Sequence, residues 1–216
     1  MSKEFALRVA RSFPPLSHAV SLGRAGVMLW REGWFRSCLE GRAVDADGRA
    51  RPWMTYPALD YLSRKDCSLL RVFEYGAGQS TLWWGPRVRE LVSCEHDSAY
   101  ADALRPLLPP NAQMVVRPLS GQGVAYSDAP SEFPPCFDLI VVDGRRRVEC
   151  LRRAPAFLCE SGALILDDSQ RPEYAEGVAG LLAQGFRGID FWGFGPVNGF
   201  KWCTSLFYRG TGGCFP

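Results

Sequence analysis

The chain is predicted to be an α/β protein built on a doubly wound, mostly parallel seven-stranded sheet that ends in an antiparallel hairpin. Three observations carry this. Five short apolar runs follow one another from residue 70, and helix-compatible segments separate most of them. The runs are apolar at consecutive positions, the pattern of strands buried on both faces. After the last helical segment, two further β-like runs are joined only by the glycine-rich linker GFGPVNG at 193–199. That linker has no room for a crossover helix, so the two runs must pair antiparallel.

In chain order, residues 5–34 have helix-like apolar spacing interrupted by Pro14-Pro15. Residues 41–51 (GRAVDADGRAR) read as a polar connector with no core pattern. A short helix is expected over 58–62. Strands are expected at 70–75, 90–94, 113–116, 137–142 and 163–166, with helices at 81–85, 98–108 and 148–158 between them. A helix at 172–184 precedes the terminal pair, 186–192 and 202–209. This divides the chain into an N-terminal helical or lid extension, 1–60, and a sheet domain, 61–216.

Composition excludes several function classes. The 216 residues carry 25 Lys and Arg against 23 Asp and Glu, a net charge of +2, so the strongly basic balance of a dedicated nucleic-acid binder is missing. With 12% aromatic residues, the chain has ample material for a packed core and is not a disordered segment. No apolar run is long enough for a transmembrane span, and the best stretch, 16–30, is broken by His18 and Arg24. Lys3, Arg8 and Arg11 among Phe5, Leu7 and Val9 leave an interfacial helix open. The eight cysteines (38, 67, 94, 136, 150, 159, 203, 214) form no C-x-x-C pair, and several fall within expected strands. They read as reduced thiols of a cytoplasmic protein. With only His18 and His96 present, a zinc knuckle is not expected.

The sharpest motif is Val72-Phe-Glu74-Tyr75-Gly76-Ala77-Gly78-Gln-Ser80-Thr81, where a strand leads through a carboxylate and two glycines into a helix. Glycine permits a tight turn and close approach of a ligand to the backbone, and the helix start offers free N–H groups. Glu74 would repel a pyrophosphate but suits an ammonium or sulfonium group. Glu95, with His96 and Asp97, ends the next strand about 20 residues later, where an acid can accept from a ribose diol. A nucleoside-containing ligand is the functional reading of the pair; a solvated charged turn is the bland one.

These residues resemble the class I S-adenosylmethionine-dependent methyltransferases, whose fold is Rossmann-like, over residues 70–209. Within that class the chain is similar to a little-described bacterial group with W-x-T-Y-P, E-Y-G-x-G-x-S-T-L-W-W, V-D-G-R and D-D-S motifs, here Trp53–Pro57, Glu74–Trp84, Val142–Arg145 and Asp167–Ser169. The resemblance implies S-adenosylmethionine as cofactor. It assigns the cofactor to Glu74, Tyr75, Gly76, Ala77, Gly78, Ser80, Thr81, Glu95, His96 and Asp143. Glu74 would lie near the methionine ammonium, Glu95 at the ribose and His96 beside the adenine. Ser80 stands where the family has its third glycine. Thr81 stands where the dinucleotide fingerprint G-x-G-x-x-G has its own, which weakens a competing oxidoreductase reading.

Asp143 ends the fourth strand and is the candidate general base for an acceptor hydroxyl; capping of the next helix is the alternative. Arg145–Arg147 either bind an anionic acceptor or open that helix in solvent. Asp167 and Asp168 join Asp143 in a carboxylate cluster that could hold a divalent metal, although none is expected, and Asp168 or Ser169 could instead cap a helix. Tyr56, Arg145 and Asp168 are candidate acceptor contacts, and Trp53 with Tyr56 could form a lid. The expected function is O-methylation of a sugar, glycan or small metabolite, without nucleic acid as partner. The alternatives are a nucleotide-dependent oxidoreductase and a non-catalytic binding protein of the same fold.

Overall fold

In the computed structural model, which describes residues 14–120, 124–134 and 136–210, all seven expected strands form and pair in one sheet. They are β1 (Arg71–Tyr75), β2 (Glu90–Glu95), β3 (Ala112–Val116), β4 (Phe137–Val142), β5 (Leu158–Asp167), β6 (Arg187–Gly193) and β7 (Trp202–Tyr208). The order is β3-β2-β1-β4-β5-β7-β6. β1 to β5 are parallel, and β7 runs antiparallel to both β5 and β6. The sheet is therefore doubly wound, mostly parallel and closed by an antiparallel hairpin, as the sequence predicts.

Successive side chains of a strand point to opposite faces, so strands apolar at every position build two cores. Phe73, Tyr75, Ile140, Val142, Leu164 and Leu166 face one side, against α6 (Arg147–Arg153) and α7 (Ala175–Ala183). Val72, Leu91, Val141 and Ile165 face the other, against α3 (Tyr56–Ser63) and α4 (Gln79–Trp84). A third cluster joins Ala101 and Leu104 of α5 (Ser98–Leu104) to Met114. The winding reverses between β1 and β4, where the loops leaving adjacent strands diverge and open a crevice.

Three expectations need correction. The connector at 41–51 is not free of the core: Ala43 and Val44 are buried. Val44 exchanges two hydrogen bonds with the Ser37 hydroxyl, at 2.9 and 3.0 Å, and pairs with Ala50 across a short bridge. A strap held by backbone bonds needs few apolar residues, so the polar composition concealed it. β5 begins at Leu158 rather than 163, because a register shift absorbs the polar residues that follow Cys159. Finally, Cys136 and Cys159 form a disulfide and are not reduced thiols. Phe137 pairs with Leu158, which places the two cysteines beside each other at the starts of neighbouring strands with Cα atoms 4.7 Å apart. Cys67, Cys94, Cys150 and Cys203 are free and buried; Cys38 is free and exposed. Cys214 and the basic-apolar stretch around Lys3, Arg8 and Arg11 lie outside the described residues.

Before the sheet lie α1 (Pro14–Arg31), with Pro14-Pro15 in its first turn, and α2 (Trp34–Glu40); the part of the expected 5–34 helical run that precedes residue 14 lies outside the described residues. Proline is at home in a first helical turn, where its missing N–H is not needed. Residues from 33 onward are knit to the domain. Trp34 Nε1 donates to the Asn198 carbonyl at 3.0 Å, Tyr56 N–H to that of Phe194 at 2.7 Å, and Thr55 N–H to Thr204 Oγ1 at 3.1 Å. Among the described residues no helix is long and apolar enough to cross a membrane.

Candidate active site

β1 delivers Glu74 to the carboxyl edge of the sheet, fully buried. Its Oε2 accepts from Thr81 Oγ1 at 2.6 Å and Ser93 Oγ at 2.7 Å, while Thr81 Oγ1 accepts from the Gly78 N–H at 2.9 Å. The acid thus organises the glycine turn from below. Burial pushes its pKa up to about 7, against the lowering effect of the surrounding hydroxyls. Its other oxygen, Oε1, is buried and makes no hydrogen bond of standard geometry. A buried lone acceptor beneath a ligand crevice suits a cationic guest.

The two glycines of the turn do different work. Gly76 has φ +90°, and a Cβ there would stand 2.7 Å from the Gly144 Cα, so the fold itself excludes a side chain. Gly78 is extended, and a Cβ would meet nothing closer than the Tyr100 hydroxyl at 3.4 Å. The space above Gly78 is left for a ligand. It opens into a cavity of about 380 Å³ lined by Gly76, Ala77, Gly78, Ser80, Glu95, His96, Asp143 and Arg145 among others. Glu74, Tyr75 and Thr81 lie beneath its floor rather than in its wall.

Glu95 closes β2 with its carboxylate turned back on the backbone. Oε1 accepts from the N–H groups of His96 and Asp97, at 2.8 and 2.9 Å, and lies 2.5 Å from His96 Nδ1. Oε2 accepts only a longer bond, 3.2 Å, from Ala77 N–H, and is the oxygen free to take a further donor. Asp97 caps α5 through the N–H groups of Ala99 and Tyr100, which fixes Tyr100 at the rim.

Asp143 follows β4. Its Oδ1 accepts from Arg147 Nη2 at 2.8 Å, and its pKa is pushed up to about 6. Burial is the main cause and Asp168 adds to it, while Arg147 opposes both. Arg147 also donates to the backbone carbonyls of Gly144 at 3.0 Å and Asp167 at 2.5 Å. It is therefore an internal clamp, whereas Arg145 is exposed at the cavity and Arg146 turns away to the Leu119 carbonyl. Asp168 pairs with Arg171 at 2.5 Å and Arg147 at 3.8 Å, outside the cavity wall. Asp167 is spent on β7, accepting from Trp202 Nε1 at 3.1 Å and Thr204 Oγ1 at 2.5 Å. A guanidinium thus occupies the middle of the three acids, and they do not fit a metal. Among the described residues no group of three or more His, Cys, Asp or Glu could hold one.

Trp53 reaches the cavity with Gly41, Arg42 and Ala43 of the strap, but Tyr56 does not. Its ring packs in the core under the Arg51 guanidinium, 5.1 Å away, and its hydroxyl is buried. Sequence reasoning missed Arg42, Gln79, Tyr100 and the clamp role of Arg147. Of these, only Gln79, inside the glycine motif, and Tyr100, in the first turn after the Asp97 cap, carried a local signal. A larger cavity of about 520 Å³ lies past Val116 and Tyr126, but it contains neither the glycine turn nor Asp143.

No family profile and no curated protein matches the chain. Solved structures do. A candidate O-methyltransferase from Klebsiella pneumoniae superposes with a TM-score of 0.56 at 18% identity, over 84% of this chain and 88% of the other. The precorrin-6y C5,15-methyltransferase of Geobacter metallireducens gives 0.53 at 14% identity, over 71% and 87%. The precorrin 8w decarboxylase of Methanobacterium thermoautotrophicum gives 0.51 at 17% identity, over 78% and 97%. The chain has the class I S-adenosylmethionine-dependent methyltransferase fold, with its crevice at the switch point of that fold.

Proposed function

We propose that the chain is an S-adenosylmethionine-dependent O-methyltransferase acting on a sugar, glycan or small metabolite, not on nucleic acid. The observation that carries this reading is the cavity at the β1–β4 switch point, with open space over Gly78 between Glu95 and Asp143. Gly76–Ser80 would hold the methionine portion above the buried Glu74, Glu95 Oε2 would accept from the ribose, and His96 would flank the adenine. Trp53 and the strap at 41–43 would cover the cofactor, the lid role assigned to the N-terminal extension.

When bound, S-adenosylmethionine supplies a methyl group on a positively charged sulfur for in-line displacement. The protein aligns the acceptor oxygen with that carbon, excludes water and removes the hydroxyl proton. Asp143 takes the proton. With its pKa near 6 it is ionised at neutral pH and still basic enough to share a proton in the transition state. Arg147 holds that carboxylate in place and supplies the positive charge a metal would otherwise provide, so the transfer is proposed to proceed without a divalent ion. Arg145, exposed at the rim, is the contact for an acceptor.

The test is calorimetric titration with S-adenosylmethionine, S-adenosylhomocysteine and, separately, NADH. Micromolar binding of the first two alone is expected. Binding of NADH alone would establish the oxidoreductase reading, and binding of none would leave a non-catalytic protein of this fold.

A further inference from the structure

α1 is 18 residues long and its main neighbour is α2, at its C-terminal end. It is not polar, as a solvated helix would be. Leu22 is 73% and Trp30 64% exposed, and Val20 and Val27 are exposed with them. At 3.6 residues per turn these four share one half of the helix circumference, with Ala19, Gly23 and Gly26 between them. Arg24 and Arg31 lie together at the border of that half, and the opposite side carries Ser17, His18 and Ser21, with Met28 and Ala25 among them. The helix is thus amphipathic, with its apolar half turned to solvent. Leu39 of α2 is likewise 88% exposed.

The charge distribution says what covers this face. α1 carries two arginines, Arg24 and Arg31, and no acidic residue, in a chain whose charges otherwise nearly cancel. A second copy would bring like charges together along the same seam. A surface that is apolar within and anionic at its boundary matches both halves of the pattern. We propose that α1 docks in the plane of an anionic lipid bilayer, with Leu22, Val27 and Trp30 below the headgroups and Arg24 and Arg31 among them. Docking there goes beyond the methyltransferase reading and does not depend on it. It would hold the domain at the surface through α2, which leads directly into the cavity-lining Gly41–Ala43.

Flotation of the full-length protein with vesicles tests this. Binding is expected to phosphatidylglycerol-containing vesicles and not to pure phosphatidylcholine, and it should weaken as salt shortens the screening length. Each arginine near an anionic surface contributes about a fivefold gain in partitioning, so Arg24→Glu with Arg31→Glu should lower binding by about 25-fold or more. Leu22→Asp with Val27→Asp should abolish it. Neither pair touches the sheet core, so the melting temperature and the far-ultraviolet circular dichroism should match the parent and separate lost docking from misfolding. Binding to neither vesicle, or equally to both, overturns the proposal. So does a micromolar dimer in analytical ultracentrifugation that Leu22→Asp dissolves, which would make the face a contact between copies.

Discussion

The Arg147 guanidinium bonds the Asp143 carboxylate at 2.8 Å while two of its nitrogens hold the backbone carbonyls of Gly144 and Asp167, tying the loops after β4 and β5 into one unit. Asp143 is thereby both aimed and kept ionisable. Asp143→Asn should reduce turnover by about 100-fold or more, the size of a lost general base, while cofactor affinity changes little. Parent turnover should rise with pH through about 6, where Asp143 loses its proton, and level off above neutrality. Arg147→Ala leaves a largely buried carboxylate unpaired and should destabilise the fold by about 3 kcal/mol in urea denaturation.

Gly76 and Gly78 should fail in different ways. Gly76→Ala forces a side chain into a left-handed turn against Gly144 and should lower stability by about 1–3 kcal/mol. Gly78→Val should melt like the parent yet lose cofactor binding, because it fills space that only a ligand uses. Paired melting and titration curves separate the two.

Glu95 contributes one underused oxygen to the cavity. Glu95→Ala should weaken cofactor binding by about 1–3 kcal/mol, the range for a lost hydrogen bond to a charged group. An unchanged dissociation constant in calorimetry would remove Glu95 from the ribose.

Glu74 should leave a mark on the pH dependence of stability. Folding raises its pKa from the ordinary glutamate range to about 7, so the folded chain holds the proton more tightly than the unfolded one. Its contribution is complete at pH 4 and is lost as pH climbs to 7. Glu74→Gln keeps an acceptor for Thr81 and Ser93 without the charge. The drop in urea midpoint between pH 5 and 8 should therefore be smaller in the variant than in the parent.

The Cys136–Cys159 bond closes a loop of 23 residues in separation, which corresponds to about 3 kcal/mol of restricted unfolded-chain entropy. Cys136→Ser should melt lower than the parent under oxidising conditions and coincide with it in dithiothreitol.

What the sequence made legible follows from local physics. Buried strands and glycine turns are written in consecutive residues, so β1, its turn, the Glu95 strand end and the closing hairpin can be read without partners. The strap, the disulfide and the Arg147 clamp depend on what lies across space. Val44 is held by hydrogen bonds to Ser37, seven residues away, and Cys136 meets Cys159 only through the β4–β5 register. Arg147 is one of three consecutive arginines, and nothing local distinguishes the clamp from its exposed neighbours. Tyr56 carries the reverse lesson: within one motif Trp53 reaches the cavity while Tyr56, three residues on, packs in the core, a division that only the folded chain reveals.

The bonds from Trp34, Thr55 and Tyr56 to the hairpin and its loop bear on where this chain can be cut. A version trimmed to residue 32 for crystallisation or display keeps every one of them and sheds the sticky helix. A version trimmed to residue 60 strips Met54 and Thr55 off the sheet, uncovers β7, and removes the cavity's outer wall with it.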